Sequence, residues 1–277
     1  MTALCEAHDV VFFDLDGVVY IGPSAVPHAG EVIRELNARG IRCCFVTNNA
    51  SRTPAEVARH LTELGVPATE AEVVTGSQAG AAVMADFVPP GSRVLAIGGP
   101  GVAAALVERG FIPVHSSDDQ PDAVMQGYGP HLGWSDLAEA TYALRRGIPW
   151  IATNLDATFP TPRGIAPGNG SLVMAVSHAT GRQPDAVAGK PERPLFDEAL
   201  ARTGAKSGLM VGDRLDTDIE GGNRAGMQTL LVLTGVCSAA EAAGATGDEV
   251  PTYVGADLRS LLAEPVRWSD FRGGIHA

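Results

Sequence analysis

The chain is short of positive charge, of paired cysteines and of long apolar runs, and each shortage removes a class of function. Lys and Arg number 20 against 32 Asp and Glu, a net charge of −12 over 277 residues. A general nucleic-acid or membrane-surface binder needs clustered cations to meet phosphate, so neither partner is expected. A small anionic substrate held by a few local cations remains compatible. The four cysteines, Cys5, Cys43, Cys44 and Cys237, form no CxxC pair. Cys43 and Cys44 are adjacent and would face opposite sides of a strand, so neither a disulfide framework nor a zinc site is expected. A reducing, cytoplasmic compartment fits. The seven histidines, His276 among them, show no metal-ligand spacing and read as surface or loop residues. No run approaches the roughly 18 apolar residues of a membrane span. The opening "MTALCEAHDV" has neither the basic flank nor the apolar core of a signal peptide.

What is present suits a globular α/β protein. The chain is 45% hydrophobic and 19% charged, and its length fits two compact domains. Short β-branched runs alternate with helical patterns. "VVFFD" reads as a strand, Glu31 to Arg39 as a helix, and "RCCFVTN" as a second strand. "TPAEVARHLTELG" reads as a helix with Thr53 as cap, Pro54 at its first position and Gly65 beyond its end. The rhythm continues through "RVLAIGG", "DAVMQGY", "PWIATN", "GLMVGD" and "TLLVL". Strands with little polar alternation, separated by helices, predict a mainly parallel sheet covered on both faces. Ligands of such sheets gather at the carboxyl ends of strands, where Asp14, Thr47 and Asp213 fall. Pro89-Pro90-Gly91 and Ser117 to Pro121 read as loops, and the tail "RWSDFRGGIHA" is expected to fray.

Four polar stretches interrupt this pattern: "DLDG" at 14–17, "TNN" at 47–49, "GKP" at 189–191 and "GDRLDTD" at 212–218. Singly each has an ordinary explanation. An Asp closing a strand is often a turn-former, and a Lys before Pro a solvated loop charge. Together they would place Asp14, Asp16, Asp213 and Asp218 in one crevice, where unpaired carboxylates raise one another's pKa values sharply. Stability alone supplies no reason to build such a site. Mg2+ removes the difficulty, since it binds through a few carboxylates and leaves room for a substrate phosphate. With the cation and Lys190 present, a dianionic phosphate can approach. Thr47 offers a hydroxyl, and the N–H groups at Asn48 and Asn49 can bind phosphate oxygens. The chemistry predicted is phosphoryl transfer.

In this order and spacing the four stretches resemble the motifs of the haloacid-dehalogenase superfamily, in its p-nitrophenylphosphatase-like branch with a large type-II cap. "FVTNNASRTPAEVA", "GWSDLAEA", "PGNGSLV" and "VGDRLDTDIEGGNRAG" extend the likeness, which runs from about His8 to Leu262 and is strongest to actinobacterial glycerol-3-phosphate phosphatases. The resemblance implies a Rossmann-like parallel-sheet core over 1–80 and 184–277, with an α/β cap at 81–183. It implies that Asp14 is the nucleophile and that Asp16 protonates the leaving alcohol, then activates water against the aspartyl-phosphate. It also implies that Asp14, the Asp16 carbonyl and Asp213 hold Mg2+. Thr47 would bind the phosphoryl group, Lys190 would bridge nucleophile and phosphate, and Asp218 would support Lys190 and the metal's bound water. The expected activity is hydrolysis of a small phosphomonoester, glycerol 3-phosphate first, with 2-phosphoglycolate, sugar phosphates or pyridoxal phosphate as alternatives. A silent phosphate sensor is the rival of another class, and the intact Asp14, Asp16, Lys190 and Asp213 set argues against it. Relatives with large caps often dimerise, so a homodimer is implied. Val18 stands where many relatives have Thr, a change of packing more than of chemistry.

Substrate selection is expected from "NLDATFPTPRGIAPGNGSL", read as a Pro/Gly-rich loop entering a helix near Gly170. Asn154, Asp156, Arg163 and Asn169 are its candidate contacts, although each type also serves ordinary loop chemistry. Phe159 stands near the place where pyridoxal-phosphate phosphatases carry a cap histidine, which disfavours that substrate. Trp134 and Trp150 read as packing within the cap. "GGPGVAAAL" contains a GxGxxA after a strand and before a helix, like a dinucleotide site. Pro100 removes an N–H from that turn, so it reads as a tight β–α connection.

Overall fold

A computed structural model of the chain describes residues 3–161 and 163–275, so His276 lies outside the described residues. The chain divides into two compact units. The first comprises the residues up to Val46, Val57–Val73 and those from Ala199 on; the second comprises Thr47–Glu56 and Val74–Glu198. The second is therefore broader than the expected 81–183, taking in the "TNN" and "GKP" stretches.

The first unit is built on a six-stranded sheet. Its strands are β1 (Val10–Phe13), β4 (Arg42–Thr47), β5 (Val73–Thr75), β13 (Gly208–Gly212), β14 (Gln228–Val232) and β15 (Tyr253–Gly255). They lie in the order β15-β14-β13-β1-β4-β5, and the pairings from β15 to β4 are parallel. Every residue of β1 and β13 is buried, which is why these strands show no polar alternation. A small hairpin, β2 (Tyr20–Ile21) and β3 (Ser24–Ala25), follows β1. Helix α1 (Ala29–Ala38) turns Val32, Ile33 and Leu36 into a core with Phe13, Phe45 and Leu61. Helix α2 (Pro54–Glu63) enters this unit at Val57; its start, within the second unit, is a capping box in which Thr53 N–H donates to Glu56 (2.8 Å) and Glu56 N–H to Thr53 Oγ1 (3.3 Å).

The second unit repeats the architecture. Strands β6 (Arg93–Ile97), β7 (Ile112–Val114), β8 (Ala123–Gln126), β9 (Trp150–Ala152) and β12 (Ala186–Val187) form a parallel sheet in the order β12-β9-β8-β6-β7. One face, through Val94, Met125 and Ile151, packs on α3 (Gly76–Met84) and α4 (Pro100–Glu108). The other, through Leu95, Val124 and Trp150, packs on α5 (Trp134–Leu144) and α6 (Asn169–Thr180). Helix α7 (Arg193–Thr203) leads out of this unit. Gly99 N–H donates to the Tyr128 carbonyl (3.1 Å) and Gly101 N–H to that of Ser51 (3.4 Å), so both N–H groups of the GxGxxA turn are used inside the unit.

Three sequence expectations change. The 154–172 stretch is not all loop: β10 (Thr158–Thr161) and β11 (Gly164–Pro167) pair as an antiparallel hairpin. Ile165 is 73% exposed and Phe159 and Ala166 only half-buried, so the hairpin shows no strong period of two. Over its described residues the tail, after α8 (Glu220–Arg224) and α9 (Ala239–Gly244), forms α10 (Trp268–Ile275) where fraying was expected. There Trp268 Nε1 donates to the Ala242 carbonyl (2.7 Å), an anchor that periodicity cannot reveal. Trp150 is fully buried as expected, whereas Trp134 is 80% exposed on the first turn of α5. No helix among the described residues is long and apolar enough to cross a membrane.

All four cysteines are free and buried. Burial pushes the Cys43 and Cys44 thiols up to about 12, and that of Cys237 to about 11. Since thiolate is the reactive species, a thiol-specific chromogenic reagent at about pH 8 is expected to find almost no reactive cysteine in the native protein. All four should react after unfolding; rapid labelling of the native chain would contradict the burial.

Candidate active site

The first unit gathers carboxylates at one end of its sheet. β1 and β13 are neighbours, with Phe13 opposite Val211, so Asp14 and Asp213 leave the same edge one and two residues later. One carboxylate oxygen from each of Asp14, Asp213 and Asp218 lies within 4.8 Å of the others, and all three residues are buried. Asp213 Oδ2 accepts from Val236 N–H (2.7 Å), while Asp218 Oδ2 accepts from the N–H groups of Asp213 and Arg214 (both 3.2 Å). Asp218 is held there by a turn of π-helix, Leu215–Ile219. Gly17 follows at φ +84°, and a Cβ on it would run into the Asp213 carboxylate. Asp16 is exposed, with Tyr20 hydroxyl donating to its Oδ2 (3.4 Å). An all-oxygen set of clustered carboxylates fits a hard divalent cation and offers nothing to a soft one.

The second unit carries the "TNN" and "GKP" stretches, and the Asn48 side chain joins them. Asn48 Oδ1 accepts from Lys190 N–H (2.8 Å) and its Nδ2 donates to the Lys190 carbonyl (3.1 Å), which fixes the orientation of the amide. The same Nδ2 reaches both Asp156 oxygens (3.2 Å each). Gly189 is required because a Cβ there would stand 2.6 Å from Asn48 Oδ1. Lys190 itself is only 4% exposed. Thr47 is buried, and its Oγ1 accepts from Asn49 N–H (3.1 Å). The Asn49 amide thus points to Thr47, and Asn49 Oδ1 accepts from Ser51 N–H (2.9 Å) and Oγ (2.8 Å).

The candidates from the 154–172 stretch separate. Asn154 and Asn169 are buried and form a relay: Asn169 Nδ2 donates to the Asn154 carbonyl (2.8 Å), and Asn154 Nδ2 to the Asn48 carbonyl (2.8 Å). With Asp156 they hold Asn48 in place. Arg163 is exposed at the hairpin turn, its N–H donating to Thr161 Oγ1 (3.2 Å). Sequence reasoning missed a cavity of about 550 Å3 within this unit, lined by Asn49, Arg52, Tyr128, His131, Asp136 and Phe159 among others. Tyr128 and Phe159 meet edge-on across it, ring centroids 4.7 Å apart. Arg52, three residues beyond Asn49, could have been suspected from its place in the motif; Tyr128 and His131 carried no signal.

The chain resembles known proteins over most of its length. A haloacid dehalogenase-like hydrolase model matches residues 11–112, and a HAD-hydrolase-like model matches residues 187–261. The chain is 49% identical to the D-glycerol 3-phosphate phosphatase of Mycobacterium tuberculosis over 94% of this chain and 73% of the relative. The crystal structure of glycerol phosphate phosphatase from that organism in complex with magnesium superposes with a TM-score of 0.90 at 49% identity, covering 94% of this chain and 79% of the other. The acid sugar phosphatase of Staphylococcus aureus is 38% identical over 94% of this chain and 98% of its own.

Asn154→Ala removes a buried donor and leaves the Asn48 carbonyl without it. Urea denaturation should show a loss of about 1–3 kcal/mol, and an unchanged midpoint would mean the relay contributes nothing.

Proposed function

Because the chain belongs to the haloacid dehalogenase-like hydrolases, we propose that it is a Mg2+-dependent phosphatase of small phosphomonoesters with glycerol 3-phosphate as its leading substrate. The observation that carries the assignment is the convergence of Asp14, Asp213 and Asp218. Three buried carboxylates so close together form the all-oxygen setting that a hard divalent cation takes. Asp14, the Asp16 carbonyl and Asp213 hold the ion, with Asp218 beside them, and its charge lets an anionic substrate approach an anionic nucleophile.

In the first step an Asp14 oxygen attacks phosphorus and the ester P–O bond breaks. Asp16 gives its proton to the departing alcohol. In the second, Asp16 takes a proton from water, whose oxygen attacks the aspartyl-phosphate, releasing orthophosphate and restoring Asp14. Exposure suits Asp16 to this work, because it must exchange protons with alcohol and water in turn. Thr47 and the Asn48–Asn49 turn bind phosphoryl oxygens, and Lys190 neutralises them. The segment 81–183, which lies within the second unit, is the substrate-selecting cap. Its cavity beside Asn49 is of a size for a small metabolite. A wider sugar-phosphate range is the second reading, supported by the likeness to the acid sugar phosphatase. The net charge of −12 supports an enzyme that does not bind nucleic acid, and the four free thiols support a cytoplasmic setting. Exposed Trp134, Tyr142 and Met174 on α5 and α6 support pairing with a second copy.

A metabolite screen with Mg2+, ranked by kcat/KM, tests the substrate; a ranking with glycerol 3-phosphate far from the top would move the assignment to the second reading. Asp14→Asn is expected to lower kcat by at least about 10³-fold while orthophosphate still binds. An active variant would sink the covalent route. Chelation by EDTA should abolish turnover and Mg2+ restore it, whereas full activity in metal-free buffer would contradict the cation assignment.

A further inference from the structure

Four buried polar atoms on one face of the second unit's sheet have no hydrogen-bond partner: both amide atoms of Gln126, Trp150 Nε1 and Asn169 Oδ1. Strand alternation puts Gln126 and Trp150 on one face, and Asn169 Nδ2 lies 3.4 Å from the Gln126 carbonyl. Val124 and Gln126 point to one face of β8, and Trp150 and Ala152 to the same face of β9, because Val124 is registered with Trp150 and Gln126 with Ala152. Val124, Trp150 and Ala152 pack there with Ala140 and Leu144 of α5 and with Val173 and Val176 of α6. Asn169 is the first residue of α6. Gln126 and Trp150 are 0% exposed and Asn169 1%, so bulk solvent cannot serve them.

The orientation of Asn169 is not arbitrary. Its Nδ2 donates to the carbonyls of Asn154 (2.8 Å) and Gln126 (3.4 Å), which can only accept, so its Oδ1 is the acceptor turned elsewhere. Trp150 brings one donor, Gln126 two donors and an acceptor, and Asn169 an acceptor. A water molecule gives two hydrogen bonds and accepts two, and it complements this set. A layer built only for packing would carry Leu or Met at position 126, since a buried amide left unbonded costs stability.

We propose that Gln126, Asn169 and Trp150 hold a buried water molecule, and that through it Gln126 is a positioning residue for the Asn48–Lys190 pair. From Gln126 the connection passes by the water to Asn169 and to the Asn154 carbonyl. Asn154 Nδ2 carries it to the Asn48 carbonyl, and the Asn48 side chain to the Lys190 backbone. Every member lies in the second unit. Fixing Asn169 fixes the turn that presents Thr47 and Asn49. This role rests on the reading of Asn48 and Lys190 as phosphate-binding residues; the water site does not.

Two measurements on the full-length chain test it. A high-resolution crystal structure should place a water bonded to the Gln126 amide and Asn169 Oδ1; a direct Gln126–Asn169 hydrogen bond, or no density between them, would overturn the site. In Mg2+ kinetics, Gln126→Leu should raise KM and the orthophosphate inhibition constant together by about tenfold, with kcat changed less than about twofold. Combined with Asn154→Ala it should add little to the single Asn154→Ala effect, because both act through one relay. A folded Gln126→Leu protein with wild-type KM and inhibition constant, or fully additive effects, would overturn the positioning role. If that variant does not fold, Trp150→Phe, which removes one donor and keeps most of the ring volume, should shift both constants the same way, and no shift would count against the role. A wild-type protein that hydrolyses no phosphomonoester would instead defeat the proposed function, leaving the crystallographic result to decide the water.

Discussion

Mutual repulsion among Asp14, Asp213 and Asp218 is the constraint around which the first unit is arranged. Their oxygens lie within 4.8 Å of one another in a buried setting, where like charges are least screened. The parallel pairing of β1 with β13 forces the closeness, because both strands deliver their next residues to one edge. The surroundings answer with backbone donors: Val236 N–H to Asp213, and the N–H groups of Asp213 and Arg214 to Asp218. Such dipoles orient the carboxylates, and the all-oxygen cluster they shape suits a hard cation.

The second unit solves a different problem, that of keeping a lysine and a short polar turn in register. One amide does it. The Asn48 side chain satisfies both backbone groups of Lys190, as a strand neighbour would, and Asp156 braces its nitrogen. The carboxylate cluster lies in the first unit and the Asn48–Lys190 amide contacts in the second, each beside its own hydrophobic core.

The chain order of strands and helices was legible because both sheets are parallel and buried, and such strands announce themselves as unbroken apolar runs. The caps were legible too: Thr53 with Glu56 at α2 follows from a short-range hydrogen-bond pattern. The hairpin β10–β11 and helix α10 were not. The first has a face that is only half-buried, and the second is held by the Trp268 contact with Ala242, a residue distant in the chain.

The candidate site divides in the same way. Local sequence determined which residue types close the strands, so Asp14, Asp16, Asp213, Asp218, Lys190 and the "TNN" turn stood out as a set before their neighbours were known. Only the tertiary structure decided the finer contacts. It left Asp16 exposed and gave Asn154, Asp156 and Asn169 the work of holding Asn48. The reason is one of range. Strand ends and turns are set by neighbours a few residues away, whereas a hydrogen bond between residues 48 and 154, or 48 and 190, exists only once the sheet has brought their loops together.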